Sequence, residues 1–260
     1  MNLKSWTRKV IDASLARYGY ALARTSIPRT GWDQVLATAL AQGHCPLVLD
    51  IGAHRGGFSQ LVLDACPRAN VYAFEPIPDL FPHIQALSVR YPNLKGVPLA
   101  LGSEPADFEF HVHSYKEASS LLKMNLAYRS LYPGQAAVAQ TICVRVERLD
   151  DWAVETGLDP AQALDLVKMD VQGFEGRVIL GGQKTLRRSR YLVTEAALFP
   201  SYDGGVMLDE LCEQLRELKF ELIWGFNIFA GSADLFWHNK ESIDTAAASS
   251  SDRPQLRTLV

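Results

Sequence analysis

The chain has 260 residues, 48% of them hydrophobic and 21% charged, the balance of a globular protein with a sizeable core rather than of a disordered chain. A formal net charge of −3 gives no general attraction to phosphate backbones, so no nucleic-acid partner is expected and a small or uncharged substrate fits better. Cys45, Cys66, Cys143 and Cys212 stand far apart without a C-x-x-C pair. They suggest neither a zinc cage nor a disulfide framework and point to a reducing, cytoplasmic setting. No apolar run approaches the ~20 residues of a membrane span, and the N-terminus lacks the apolar stretch of a secretory signal.

In chain order, residues 1–30 hold Lys4, Arg8, Lys9, Arg17, Arg24 and Arg29 against Asp12 alone, a local charge of +5. Ile11, Leu15, Tyr18 and Leu22 recur there at helical spacing, so an amphipathic helix is predicted, either packed on the main domain or in peripheral contact with a membrane or partner. The apolar run Leu47-Val48-Leu49-Asp50-Ile51 is stopped by glycine and followed by a helix from Phe58 to about Cys66, with Pro67 as breaker. A second strand, Val71 to Glu75, ends at Pro76, and Asp79 to Val89 forms the next helix. A third strand is predicted over Gly96 to Leu101. Phe108, Phe110 and Val112 alternate with polar residues, as do Ile142, Val144 and Val146, which predicts half-buried or hairpin strands inserted before the core resumes. Leu164 to Met169 and Tyr191 to Thr194 are further core strands flanking a helix from Glu175 to about Leu180. A helix over Met207 to Leu218 precedes two last strands, Phe220 to Trp224 and Ala233 to Trp237.

This order predicts a doubly wound α/β fold, a mostly parallel seven-stranded sheet with helices on both faces and a ligand site at the carboxyl ends of its strands. The organisation expected is a basic helical extension over 1–44, one α/β domain over 45–238 with an insertion at about 104–150, and a disordered tail over 239–260.

The first strand end reads Asp50-Ile51-Gly52-Ala53-His54-Arg55-Gly56-Gly57-Phe58-Ser59. Glycine lets the backbone turn sharply and approach a ligand, and the following helix offers free N–H groups. The spacing is D-x-G-x-x-x-G rather than the G-x-G-x-x-G of a dinucleotide loop, and a carboxylate at Asp50 would repel phosphates while welcoming an ammonium or sulfonium. The structural alternative is that Asp50 caps a helix or turn. Glu75, at the second strand end, can accept both hydroxyls of a ribose, unless it is merely a solvated strand end. Together Asp50 and Glu75 describe a nucleoside with positive charge and no phosphates, which S-adenosylmethionine satisfies.

Four segments then resemble the FkbM family of methyltransferases: Val48 to Gly56, Ala73-Phe74-Glu75-Pro76, Ser119-Ser120-Leu121, and Lys168-Met169-Asp170-Val171-Gln172-Gly173-Phe174-Glu175. The resemblance spans about residues 47–237. It implies the class I methyltransferase fold, S-adenosylmethionine as cofactor, and methylation of a hydroxyl on a sugar, glycan or small metabolite. The competing expectation is a non-catalytic binding or partner protein that keeps the fold. Two positions depart from the family pattern, with His54 where asparagine is frequent and Gln172 where glutamate is frequent.

The cofactor contacts expected are Asp50, Gly52, Ala53, His54, Gly56, Phe58 and Ser59 around the first strand end, with Glu75, Pro76 and Leu101 beyond it. Asp170 ends the fourth core strand and is the leading active-site carboxylate, a general base for an attacking alcohol. Alternatively Asp170 and Glu195, the latter expected to end the fifth strand, hold Mg²⁺, whose preference is for hard oxygen ligands. Ser119, Ser120 and Gln172 are expected substrate contacts. Glu175 is read either as a complement to a helix N-terminus or as part of catalysis, and Lys168 as the partner of a nearby carboxylate. His111 and His113 lie on one side of a strand without a third metal ligand and are expected to be surface or hairpin histidines.

Overall fold

The structure is a computed structural model and describes residues 31–41, 45–134, 136–229 and 231–242. The basic helix expected within residues 1–30 and the tail beyond residue 242 lie outside the described residues. Among the described residues the strands are β1 (Leu47–Ile51), β2 (Asn70–Phe74), β3 (Leu94–Val97), β4 (Ala100–Leu101), β5 (Ala106–His113), β6 (Val138–Glu147), β7 (Leu164–Met169), β8 (Ser189–Ala197), β9 (Phe220–Phe229) and β10 (Ser232–Asn239). They form a seven-stranded sheet in the order β3-β2-β1-β7-β8-β10-β9 and a three-stranded sheet in the order β4-β6-β5.

In the larger sheet β1 pairs in parallel with β2 and β7, and β7 pairs in parallel with β8, while β10 runs antiparallel to both neighbours. Central parallel strands covered on both faces need apolar side chains on both, and every residue of β1 and β7 is buried. The pleat sorts them: Leu47, Leu49 and Ile51 join one core with Met169, Val178, Leu192 and Leu211, and Val48 joins the other with Val62, Val71 and Phe236. Each such fully buried aliphatic side chain contributes about 1.5–3 kcal/mol relative to exposure. The strand order reverses between β1 and β7, which opens a crevice at their carboxyl ends.

The structure corrects several boundaries. The run Gly96 to Leu101 is divided between two sheets, because Pro98 brings no N–H to the ladder and the Leu99 N–H turns back to the Val97 carbonyl at 2.9 Å. The helix Gly31–Ala39, within the segment expected as an N-terminal extension, buries Val35, Leu36 and Ala39 against the main domain. Strand β8 runs to Ala197, so Glu195 lies within it and pairs with Asp234 of β10 rather than ending the strand. Strand β10 continues to Asn239, one residue into the segment expected to be disordered. The insertion forms the expected hairpin, with Phe108 opposite Val144 and Phe110 opposite Ile142.

Candidate active site

The crevice at the β1–β7 switch point holds a cavity of about 500 Å³. Its floor is the loop after β1, where Gly52 has φ 77 and a Cβ would fall 2.0 Å from the Asp170 carbonyl oxygen. Only glycine allows that turn and that approach between neighbouring strand ends. His54 follows in the same left-handed region, with φ 53. Its backbone N–H is thereby aimed across the loop at Glu75, and Phe58, on the helix Gly57–Ala65, lines one wall beside Trp32, with ring centroids 5.0 Å apart. The imidazole of His54 is depressed below its ordinary pKa, chiefly by burial.

Glu75 sits one residue beyond β2 and lines the cavity, although only 4% exposed. One oxygen accepts the Ile77 N–H and the other the His54 N–H, each at 2.8 Å. Burial outweighs these bonds and lifts the carboxyl to about 7. Each oxygen has a further lone pair, so the group is fixed in place and can still accept from a pair of neighbouring hydroxyls.

Asp50 is placed differently from the sequence expectation. It is fully buried beneath the loop, where Ser59 Oγ donates to it at 2.6 Å and Lys168 Nζ lies 3.4 Å from its other oxygen. Lys168 also donates to the Gly52 carbonyl at 2.6 Å and lies 3.7 Å from Asp170. Burial alone would lower the Lys168 pKa, but the Asp170 and Asp50 carboxylates together raise it. Neither Asp50, Ser59 nor Gly56 lines the cavity, and the acid expected to meet an ammonium group instead anchors Lys168. Ala53, Pro76 and Leu101 do line it.

At the end of β7, Asp170, Glu175 and Glu195 converge, with one oxygen of each within 4.8 Å of the others. Glu175 opens the helix Glu175–Gly181 and accepts the Val171 N–H at 2.9 Å, and burial lifts it to about 7. Between Asp170 and Glu195 stands the Gln172 amide, whose nitrogen donates to both at 2.8 and 2.7 Å. Gln172 lines the main cavity and also a second, smaller one of about 30 Å³. Glu195 faces only the smaller one, where enclosure from water and then the charges of Asp170 and Glu175 raise its carboxyl well above the usual range.

Ser119 lines the main cavity and its hydroxyl accepts the His113 N–H at 3.0 Å, whereas Ser120 donates to the Gln172 carbonyl at 2.8 Å and ties the insertion to the strand end. His111 and His113 are buried rather than superficial, because the end of β5 is covered on both faces. The cavity further uses Arg55, which lies in the strand-end loop but outside the contacts expected there, and Trp32, Lys116 and Glu117, which lie outside every strand-end pattern. Arg55 is legible by adjacency to Gly52 and Ala53; Trp32 carries no local signal. Among the described residues all four thiols are free, and no helix is long and apolar enough to cross a membrane.

The chain matches the family described as Methyltransferase FkbM domain over residues 50–222. It is 29% identical over 187 residues to the 2-O-methyltransferase NoeI of Sinorhizobium fredii, covering 70% of this chain and 74% of that protein. It is also 28% identical over 206 residues to the AMB antimetabolite synthetase AmbE of Pseudomonas aeruginosa, covering 68% of this chain and 10% of that protein. Among solved structures it is similar to a precorrin-6y C5,15-methyltransferase from Geobacter metallireducens GS-15, at 15% identity and TM-score 0.42 over 85% of this chain and 94% of that one. A 1,6-didemethyltoxoflavin-N1-methyltransferase from Burkholderia thailandensis, with bound S-adenosylhomocysteine, is 12% identical with TM-score 0.42 over 92% of this chain and 91% of that one. The matched span runs from Asp50 through the Glu75 strand end and the Asp170 cluster, and the chain belongs to the FkbM family of S-adenosylmethionine-dependent methyltransferases.

Proposed function

We propose that the chain methylates a hydroxyl group of a sugar, glycan or other small metabolite, with S-adenosylmethionine held in the main cavity and Asp170 acting as general base. The observation that carries this reading is Glu75, whose two oxygens are fixed by backbone N–H groups on the same cavity that Asp170 enters. The charges lining that cavity also suit a nucleoside bearing an amino acid and a sulfonium, since Arg55, Lys116 and Lys168 balance Glu75, Glu117 and Asp170. When bound, S-adenosylmethionine supplies an electrophilic methyl group.

Glu75 accepts the ribose hydroxyls, and Arg55 stands where it can meet the methionine carboxylate. Gly52, Ala53 and His54 shape the loop beneath, with Phe58 as an apolar wall and Pro76 and Leu101 lining the adenosine side. Asp170 would hold the acceptor hydroxyl and take its proton, with the cofactor supplying the methyl group and leaving as the demethylated thioether. A base so placed typically gives about 10²–10⁴-fold. The donor set supports this over a magnesium site, since the Gln172 amide already spans Asp170 and Glu195. The hydroxyl acceptor is further supported by the relative named as a 2-O-methyltransferase.

The test is to incubate the purified chain with isotopically labelled S-adenosylmethionine and a panel of mono- and oligosaccharides, and to locate the label by tandem mass spectrometry. Label on a hydroxyl oxygen is expected. Label on a nitrogen or carbon of the preferred acceptor would overturn the hydroxyl reading.

A further inference from the structure

Gln172 has its backbone carbonyl and both ends of its side-chain amide in hydrogen-bond contact. Its backbone lies in the left-handed region, with φ 56, ahead of Gly173 at φ 93. A residue with a Cβ persists there only when its surroundings hold it. The Ser120 hydroxyl does so by donating to the Gln172 carbonyl at 2.8 Å, while accepting the Leu122 N–H at 3.0 Å. At the far end the amide nitrogen has two N–H groups and two carboxylate acceptors, Asp170 and Glu195. The amide oxygen lies 2.9 Å from the Tyr202 hydroxyl, whose other neighbour is the Ala118 carbonyl at 2.8 Å. The orientation follows from this chemistry, because a flipped amide would set its oxygen against two carboxylates.

Asp170 stands at the end of β7 and Glu195 within β8, neighbouring strands that bring one oxygen of each carboxyl within 4.8 Å of the other. Two carboxylates held this close need a donor between them, and a proton, a divalent cation or an N–H pair can each serve. We propose that Gln172 is a positioning residue whose amide occupies the bridging place between Asp170 and Glu195, so that the cluster is held ready for methyl transfer without a divalent cation. This rests on the reading of Asp170 as the base. It adds that the insertion helps set the base's position, since Ser120 acts on Asp170 through Gln172.

The first measurement needs no acceptor: Mn²⁺ is titrated into wild type and Gln172→Glu and followed by electron paramagnetic resonance. Replacing the amide nitrogen by oxygen turns the donor into a fourth hard acceptor at nearly unchanged shape, which suits such a cation. Gln172→Glu is expected to bind Mn²⁺ at least about tenfold more tightly than wild type. Equal affinity, or tight binding by the wild type, overturns the proposal.

The second measurement uses Gln172→Asn, which tolerates the left-handed backbone and keeps the Ser120 bond but withdraws the amide by one methylene. With the acceptor found above, it is expected to lower kcat by about tenfold or more while KM for S-adenosylmethionine stays within about twofold. Chelator is expected to leave wild-type turnover unchanged. Unchanged kcat in Gln172→Asn, or turnover abolished by chelator and restored by Mg²⁺, overturns it. Because the Mn²⁺ result is independent of methyl transfer, a failure of the clamp and a failure of the hydroxyl reading are told apart.

Discussion

Lys168→Met is the most informative perturbation of the framework beneath the site. The lysine lies 3.4 Å from an Asp50 carboxylate that is fully buried. Methionine keeps the length and apolar packing of the stem, so the change removes the ammonium and its hydrogen bond to Gly52 while leaving the packing. At that distance the attraction is worth about 5 kcal/mol with an effective dielectric of ~20, in line with the ~3–5 kcal/mol lost when one partner of a buried pair is removed. The loss has a ceiling, because any aspartate left without its cation can take up a proton. From an ordinary pKa of ~3.9, that costs about 4 kcal/mol at pH 7 and only about 1.5 kcal/mol at pH 5. Urea unfolding should therefore show the variant less stable by about 3–4 kcal/mol at pH 7, with the difference shrinking to about 1.5 kcal/mol or less at pH 5 and m unchanged. The double variant Asp50→Asn/Lys168→Met should recover at least about 1 kcal/mol of the loss at pH 7. A loss under about 1 kcal/mol at pH 7, or one that does not diminish at pH 5, would refute the view that Lys168 compensates Asp50.

Glu75→Gln replaces one acceptor oxygen by a donor that faces a backbone N–H, and should weaken S-adenosylmethionine binding by at least about tenfold in calorimetry; unchanged affinity in a folded variant would remove Glu75 from the site. Stability without cofactor should fall as pH rises from about 5 towards 7, opposite to a protein whose carboxylates are salt-bridged. The sign follows from Glu75 and Glu175, lifted from 4.5 to about 7 in the folded chain. The native state then binds more protons than the unfolded one between those values, which amounts to roughly 3 kcal/mol per group at most. Melting temperatures that climb steadily from pH 5 to 8 would contradict it. Asp170→Asn keeps an acceptor for the Gln172 amide but removes the charge, and should lower turnover by about 10²-fold or more with cofactor affinity within a few-fold; near-normal turnover on the preferred acceptor would mean that orientation alone suffices.

The fold was legible where side-chain periodicity met a clear stop. Leu47–Ile51 and Leu164–Met169 are mostly apolar, broken by Asp50 in the first and by Asp165 and Lys168 in the second, and both emerge as central strands with those bounds. The run Gly96 to Leu101 failed because a short apolar stretch does not say which sheet its residues join, and Pro98 divides it. The apolar run that stops at Thr194 predicts a strand end at Glu195. The strand continues to Ala197 because β10 supplies a partner, with Asp234 opposite Glu195. Hydrogen-bond partnership with a distant strand, not local hydropathy, fixes that boundary.

The site divides the same way, and Asp50 and Glu75 show why. Both are acids near the ends of adjacent strands, and local pattern treats them alike. Register separates them: Asp50 pairs with Ala73 and Ile51 with Phe74, so Asp50 stands two residues short of the level of Glu75. At about 3.3 Å per residue that is roughly 6–7 Å deeper in the sheet. On its other side Asp50 is the register partner of Lys168, so the two side chains emerge on one face and meet. Glu75, one residue past β2, leaves the sheet where the loop after Gly52 turns aside, and it therefore opens on the cavity. The depth of a strand-end acid thus decides whether it opens on the cavity or meets a buried lysine, and that depth is set by pairing between segments far apart in the chain.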